Sequence, residues 1–334
     1  MNSPTASVHS IDMASSTSQA NGRSLDMKTI VELDTIPILG DEYRKALAGF
    51  VPRPTIPGGR GSRGSGKDLA SPSTAYRVNK VQINATNLAE YCGACGLRVT
   101  SAVPITYPYA VTFPLVMTAM NAPDFPFPAV GTIHLRNIIE QYSPITVTDT
   151  MDVVVYAESL RRHPKGLLID IVTEVHPTGD DETTTWRQRS TMLSVRKTPD
   201  HLPKDDYTRL SICLPDDPTT TTRVSSSDIK KYAAVSGDKN PIHVSKLGAK
   251  LFGFPSTIAH GMWSAASLLS TVEGRVPDRA RYVVEFGKPI ILPASLAAYT
   301  SQHPHNNSHS YWDLRYTSAK DSSNVNVTAQ LTEI

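Results

Sequence analysis

Cysteine is scarce in this 334-residue chain: Cys92, Cys95 and Cys213 are all there is. An odd count of three over such a length excludes the disulfide framework of a small secreted domain and fits a reducing compartment. A dominant charge of one sign is missing as well. Lys and Arg number 33 against 31 Asp and Glu, a formal balance of +2, which leaves no broad field to capture nucleic acid or an anionic membrane. Nor is there a hydrophobic run fit to span a bilayer. The longest apolar stretch, residues 105–120, contains Pro108 and Pro114 and falls short of the roughly 20 residues a spanning helix needs, so it reads as core. The N-terminal segment has neither the apolar region of a secretory signal nor the Arg-rich pattern of a transit peptide, and residues 1–26 are expected to form a disordered tail. The C-terminal sequence Leu331-Thr332-Glu333-Ile334 is no peroxisomal address. A cytoplasmic location is expected, a peroxisomal one staying open without that signal.

What is present is globular composition, 40% hydrophobic and 19% charged, in a length that suits two packed domains of about 100–150 residues. Residues 27–75 read as an N-terminal extension, with a helix expected over 41–48 followed by a Gly/Arg-rich loop, VPRPTIPGGRGSRGSGK. Residues 76–200 and 207–334 form two units joined by TPDHLPKDD. In the first, MDVVVYAESL, GLLIDIVTEVHP and TTTWRQRSTMLSVRK read as strands separated by the turn signals HPKG and PTGDD. In the second, ASLAAYTSQ, SYWDLRYTS and NVNVTAQLTEI repeat the pattern. Each unit thus begins with a helical segment and ends in an antiparallel meander, an α+β architecture that looks duplicated.

Internal alignment sharpens the duplication. NATNLAEYCGACGL lies on SSSDIKKYAAVSGD, pairing Tyr91 with Tyr232, Gly96 with Gly237 and Leu97 with Asp238 at an offset of 141. Farther on, ITYPYAVTFPL lies on IAHGMWSAASL at an offset of 153, so the first copy lacks 12 residues in between. One copy looks built for chemistry and the other for support.

The chemistry concentrates in residues 232–270. Asp238, Asn240 and His243 cluster around Pro241, which disfavours helix at Asn240 and sets these side chains at a helix-to-loop transition. A carboxylate and an imidazole within reach of one water can take its proton and return a proton to carbon, the transfers that hydration of a conjugated double bond requires. Ala259-His260-Gly261-Met262 then precedes an apolar run that reads as a buried helix. A free N–H at its start could polarise a thioester carbonyl, aided by the helix dipole. Taken alone, the six residues from Asp238 to His243 also suit an Asx-type turn with a solvated histidine.

The string S-G-D-K-N-P-I-H followed by H-G-M resembles the signature of the MaoC-like (R)-specific enoyl-thioester hydratases. The resemblance implies a hotdog fold, a helix wrapped by an antiparallel sheet, and for a duplicated chain a double hotdog. It implies that Asp238 and His243 activate the water, that Asn240 shapes the site, and that the Gly261 N–H contacts the thioester oxygen. It also implies that the degenerate first copy accommodates the acyl chain. The substrate would be an acyl-CoA or acyl-carrier-protein thioester, hydrated to the (R)-3-hydroxyacyl product or formed from it, without metal or redox cofactor. A homodimer is compatible with this. One departure is Leu269, which stands where some members place a serine, with Ser267 and Ser270 beside it. Two rivals stand beside the hydratase: a dehydratase of carrier-bound polyketide or fatty-acid intermediates, and a non-catalytic acyl-thioester binding module.

Other signals carry less. Gly61, Gly66 and Lys67 match part of a phosphate-binding loop, but Asp68 follows instead of Ser or Thr and no apolar strand precedes. Cys92 and Cys95 have half-site spacing without a second pair, so packing of a helix end is expected. His303, His305 and His309 fall at an expected hairpin tip and read as a solvated turn. His134 is expected to be a satisfied strand histidine, and Glu285 and Lys288 to be structural.

Overall fold

A computed structural model describes residue 25 and residues 27–50, 69–305 and 309–334. The N-terminal tail, the Gly/Arg-rich loop with its phosphate-loop-like string, and the 306–308 tip lie outside the described residues.

The extension supplies strand β1 (Thr29–Leu33) and helix α1 (Leu39–Phe50). The first unit follows as β2 (Thr74–Gln82), α2 (Ala85–Cys95), α3 (Tyr107–Asn121), β3 (Ile133–Gln141), β4 (Thr150–His163), β5 (Gly166–Pro177) and β6 (Trp186–Val195). The second runs β7 (Thr220–Val224), α4 (Ser226–Ser236), α5 (Pro241–Val244), α6 (Lys246–Leu251), α7 (Gly261–Leu269), β8 (Ala280–Phe286), β9 (Ala294–His305), β10 (His309–Ser318) and β11 (Asp321–Glu333). Among the described residues the strands form one sheet in the order β1-β2-β4-β5-β6-β3-β8-β11-β10-β9-β7. The order of the first unit, outward to inward, is β2-β4-β5-β6-β3, and that of the second is β7-β9-β10-β11-β8. The two are the same, back to back, with the antiparallel β3–β8 pair at the centre, where Arg136 faces Glu285 and Gln141 faces Ala280. This is the duplicated α+β hotdog arrangement that the sequence implies.

Two features differ from the sequence reading. Each unit opens on a strand, β2 or β7, ahead of its first helix. β7 is the Thr-rich edge segment TTTRV, mostly exposed, with no apolar alternation to announce it. His303 is no solvated turn residue either: it lies in β9, its Nε2 bonding Cys213 O at 3.0 Å and lying 3.3 Å from Asp313 Oδ2.

The helices pack on the sheet around a shared core. Tyr91, Tyr107, Tyr232, Tyr282 and Trp186 are among the largest fully buried side chains, and each such ring brings a polar tip that must be satisfied. Tyr91 bonds Thr106 Oγ1 at 3.0 Å, Trp186 Nε1 donates to Ile105 O at 2.8 Å, and Tyr282 donates to Ala265 O at 2.9 Å. Across the pseudo-dyad, Tyr91 packs 5.9 Å from Tyr232, Trp263 Nε1 donates to Ala94 O at 2.9 Å, and Asn87 Nδ2 donates to Val235 O at 2.9 Å. The helices of the two units therefore share one core. Cys92 and Cys95 are buried in it, and burial pushes their thiols up, that of Cys92 to about 11, which keeps both unreactive.

The opposite face is covered in part by the inter-unit segment. Arg161 pairs with Asp170 at 3.0 Å and with Asp205 at 2.8 Å, and Arg136 stacks over the Tyr207 ring at 3.4 Å. Leu210 N donates to Glu285 Oε1 at 3.0 Å, so Glu285 serves as a main-chain anchor. No helix among the described residues is long and apolar enough to cross a membrane.

Candidate active site

Helix α4 aims the first candidate residue. Its start is fixed by a capping box between Ser225 and Asp228. Its end is Gly237, left-handed at φ 72°, a conformation in which a side chain would cost roughly 1 kcal/mol. The chain leaves the helix there and turns Asp238 inward. In the first unit Gly96 ends α2 in the same left-handed form, and the next residue is Leu97, without a titratable group.

Asn240 caps the short α5 by accepting the Ile242 N–H at 3.3 Å, with Pro241 in the first helical position. That turn carries His243 inward, where it is 8% exposed. Gly248 in α6 lets this loop close, because a Cβ there would meet Pro241 Cβ at 2.6 Å. Helices α5 and α6 occupy the stretch that the first unit lacks. The third component is the start of α7, where His260 is extended (ψ 141°) and Gly261 is the first helical residue. N–H groups in the first turn of a helix have no intrahelical acceptor.

These pieces converge. His243 Nδ1 donates to Ile258 O at 2.9 Å, so in the neutral ring Nε2 carries the free lone pair. His260 Nε2 donates to the main-chain oxygen of Asp238 at 2.9 Å and lies 3.7 Å from its Oδ2. The two imidazoles stack with centroids 3.7 Å apart. Asp238 Oδ1 accepts the Asn240 N–H at 3.2 Å and the hydroxyl of Tyr43. One nitrogen or oxygen from each of Asp238, His243 and His260 falls within 4.8 Å of the others. Two acceptors up to about 5.6 Å apart can share one water, so Asp238 and His243 are placed to hold one between them.

Burial opposes ionisation of Asp238, but the neighbouring His260 and His243 and the hydrogen bonds from Tyr43 and Asn240 outweigh it and hold the carboxyl below its ordinary 3.8. Burial pushes His243 below its ordinary 6.5, the Asp238 charge and the Ile258 carbonyl resisting. His260, fully enclosed beside His243, falls to about 3. At neutral pH the cluster is one carboxylate and two neutral imidazoles, that is, two proton acceptors and a neutral spacer.

Around Gly261 the walls are aromatic. A Cβ on Gly261 would meet the Phe286 ring at 3.3 Å. Phe286 stands 4.7 Å from the His134 ring, which in turn is 6.4 Å from Tyr109. His134 is driven down to about 4 by burial and is neutral there, with Asn137 Nδ2 at 3.4 Å from its Nε2. Near Leu269, Ser267 Oγ lies 3.2 Å from the Tyr316 hydroxyl and Ser264 Oγ donates to Gly261 O at 2.6 Å. Sequence reasoning overlooks Tyr43 and His260 as neighbours of Asp238. The signal for the first lies in the spacing of Leu39, Tyr43 and Ala46, three positions on one face of α1.

A duplicated hotdog with a carboxylate and an imidazole beside a helix N-terminus defines the class of acyl-thioester hydro-lyases. Comparison with known proteins places the chain within it. The family model described as MaoC like domain matches residues 214–311. The 3-hydroxyacyl-thioester dehydratase X of Mycobacterium tuberculosis is 44% identical over 232 residues, 69% of this chain and 81% of that protein. The chain belongs to the MaoC-like dehydratase family. A shorter match, 42% over 77 residues, covers 22% of this chain and 4% of the fatty acid synthase subunit beta of Saccharomyces cerevisiae. Among solved structures, HtdX of Mycobacterium tuberculosis superposes with a TM-score of 0.66 at 39% identity, covering 78% of this chain and 100% of that one. A MaoC-like dehydratase from Phytophthora capsici shares the fold, with a TM-score of 0.62 at 17% identity over 80% of this chain and 96% of that one.

Proposed function

We propose that the chain interconverts trans-2-enoyl and (R)-3-hydroxyacyl thioesters, with Asp238 and His243 as the acid/base pair, Asn240 shaping their turn, and the Gly261 N–H holding the thioester oxygen. The observation that carries this reading is the convergence of two unprotonated bases, within 4.8 Å together with His260, on the start of α7. In dehydration the dyad takes the proton from Cα, the electrons of that C–H bond form the double bond, and the hydroxyl leaves Cβ with the same proton as water. In hydration a water oxygen adds to Cβ and its proton reaches Cα through the dyad. One proton serves the whole cycle, which is why neither base need be protonated at rest. Negative charge that builds on the thioester oxygen meets the Gly261 N–H and the positive end of α7.

The first unit, residues 76–200, has Leu97 in place of the aspartate and Pro108 aligned with Gly261. Proline has no N–H, so that copy lacks both the acid/base pair and the oxyanion donor. It fits the role of holding the acyl chain, with a row of rings running from Phe113 through Tyr109 and His134 to Phe286. The second unit, residues 207–334, carries the chemistry. The relative in Mycobacterium tuberculosis, by its name a dehydratase of 3-hydroxyacyl thioesters, supports this substrate class for the present chain.

The test follows the ultraviolet band of the conjugated thioester with crotonyl-CoA and a longer trans-2-enoyl-CoA. Loss of the band and recovery of the (R)-3-hydroxy product is the expected result. Acyl-CoA binding without turnover, on CoA and carrier-protein thioesters alike, would make the protein a binding module instead. The protonation states also predict a pH profile. A histidine held below its ordinary 6.5 and a carboxyl below 3.8 are both unprotonated at neutral pH, so kcat/KM stays level there and falls only on the acid side, at pH values below 6.5. An acid limb centred above that value would contradict a buried, neutral His243.

A further inference from the structure

The N-terminal extension lies outside the matched residues 214–311 and outside both repeat units, yet it reaches the site. Helix α1 is held to the body at three points. Leu39 Cδ2 lies 3.0 Å from where a Cβ on Gly237 would stand. Glu42 is buried, its main-chain oxygen and its Oε2 accepting from Asn121 Nδ2 at 2.9 and 3.0 Å. Next to the second anchor and one turn on from Leu39, Tyr43 bonds Asp238 Oδ1.

We propose that Tyr43 is the positioning residue for Asp238, so that the extension completes a site whose acid/base pair and oxyanion donor come from the second unit. The carboxylate is largely buried, its side chain 19% exposed, and a carboxylate can rotate about its χ2 unless its oxygens are engaged. The Asn240 N–H and the Tyr43 hydroxyl both fall on Oδ1. Oδ2, on the side of His260, is thereby left as the oxygen that meets the water. The titratable groups facing Asp238 are Tyr43 from α1, Tyr109 from α3, Tyr232 from α4, His243 from α5 and His260 from the segment before α7. Tyr43 is the phenol that donates to the carboxylate, and burial, the Asp238 charge and that bond all push its own pKa far up, so it stays a donor at every working pH. The role attached to Asp238 rests on the function proposed above; the contact itself does not.

The test has two readouts on the full chain. Tyr43→Phe keeps the ring and removes the donor, while Tyr43→Ala removes both. With an enoyl-CoA that the wild type turns over, Tyr43→Phe is expected to lower kcat about tenfold with KM within about twofold. The second readout is a carbon-13 titration of the labelled Asp238 carboxyl, assigned by its loss in Asp238→Asn. It is expected to rise in Tyr43→Phe by about one pH unit, and it is measured whether or not the substrate is the right one. A Phe variant with wild-type kcat and an unmoved carboxyl, next to an impaired Ala variant, would reduce Tyr43 to packing and overturn the proposal. A wild type with no turnover would sink the proposed function, and the carboxyl titration would still decide the hold of Tyr43 on Asp238.

Discussion

Asp238→Asn and His243→Ala are each expected to cut kcat by about 10²–10⁴-fold, the range for loss of a positioned general acid or base. Asn keeps the shape of the carboxyl, and its amide oxygen can still accept from Tyr43 and the Asn240 N–H. It cannot take a proton. Since the charge removed is a largely buried one, Asp238→Asn is expected to leave thermal stability near that of wild type. His243→Ala gives up the bond to Ile258 O and the stack on His260, so its Tm drops by a few degrees while the fold holds. Because the two groups hand on one proton, the double variant is expected to lose little beyond the worse single variant. Either folded variant keeping a third of wild-type kcat would remove its residue from the mechanism.

The second large effect concerns a backbone atom that no ordinary side-chain substitution reaches. Gly261→Pro deletes the N–H and is expected to lower kcat by about 10²–10³-fold, the range for removing one oxyanion donor. Proline is tolerated at the first position of a helix, and His260 already has the extended conformation that a following proline requires (φ −66°, ψ 141°). The fold itself accepts such a residue, since Pro108 holds the aligned place at the start of α3. Both Pro and Ala would bring a Cβ to 3.3 Å from the Phe286 ring. Gly261→Ala therefore reports the cost of that contact alone and is expected to lose much less activity. Equal losses in the two variants would assign the effect to crowding of Phe286, and the N–H would have no part in it.

The candidate turn of the second unit was legible because it is local. Asp238, Asn240 and His243 sit on one turn, and Gly237, Pro241 and the apolar stretch after Gly261 dictate that turn by rules that act over a few residues. The duplication was legible from the paired Gly96 and Gly237, and both turn out left-handed at φ 75° and 72°. Strands β4, β5 and β6 announce themselves as apolar runs between turns. What stayed hidden depends on distance along the chain. Tyr43 meets Asp238 across 195 residues; the spacing of Leu39, Tyr43 and Ala46 marks a buried face of α1 but not what that face meets. β2 and β7 are edge or near-edge strands whose identity comes from their neighbours. β3 and β8 could be read as strands, but not that they would pair with each other. His260 is a motif residue whose role, a neutral ring bridging His243 and the Asp238 main chain, comes from burial that only the assembled core supplies.

The central β3–β8 ladder bears on what dilution can do. In an enzyme assembled from two separate chains, halves that must meet to form a pocket come apart at low concentration, and activity per mole falls with them. Here the half that carries Asp238 and His243 and the half that packs against it are joined by main-chain hydrogen bonds from Arg136↔Glu285 to Gln141↔Ala280, and covalently through the segment carrying Asp205 and Tyr207. Their effective concentration is set by that tether and not by the amount of protein in the cell. The same tether lets the two halves differ: Leu97 and Asp238 hold matching places in one chain, where in a pair of identical chains both places would carry the same residue.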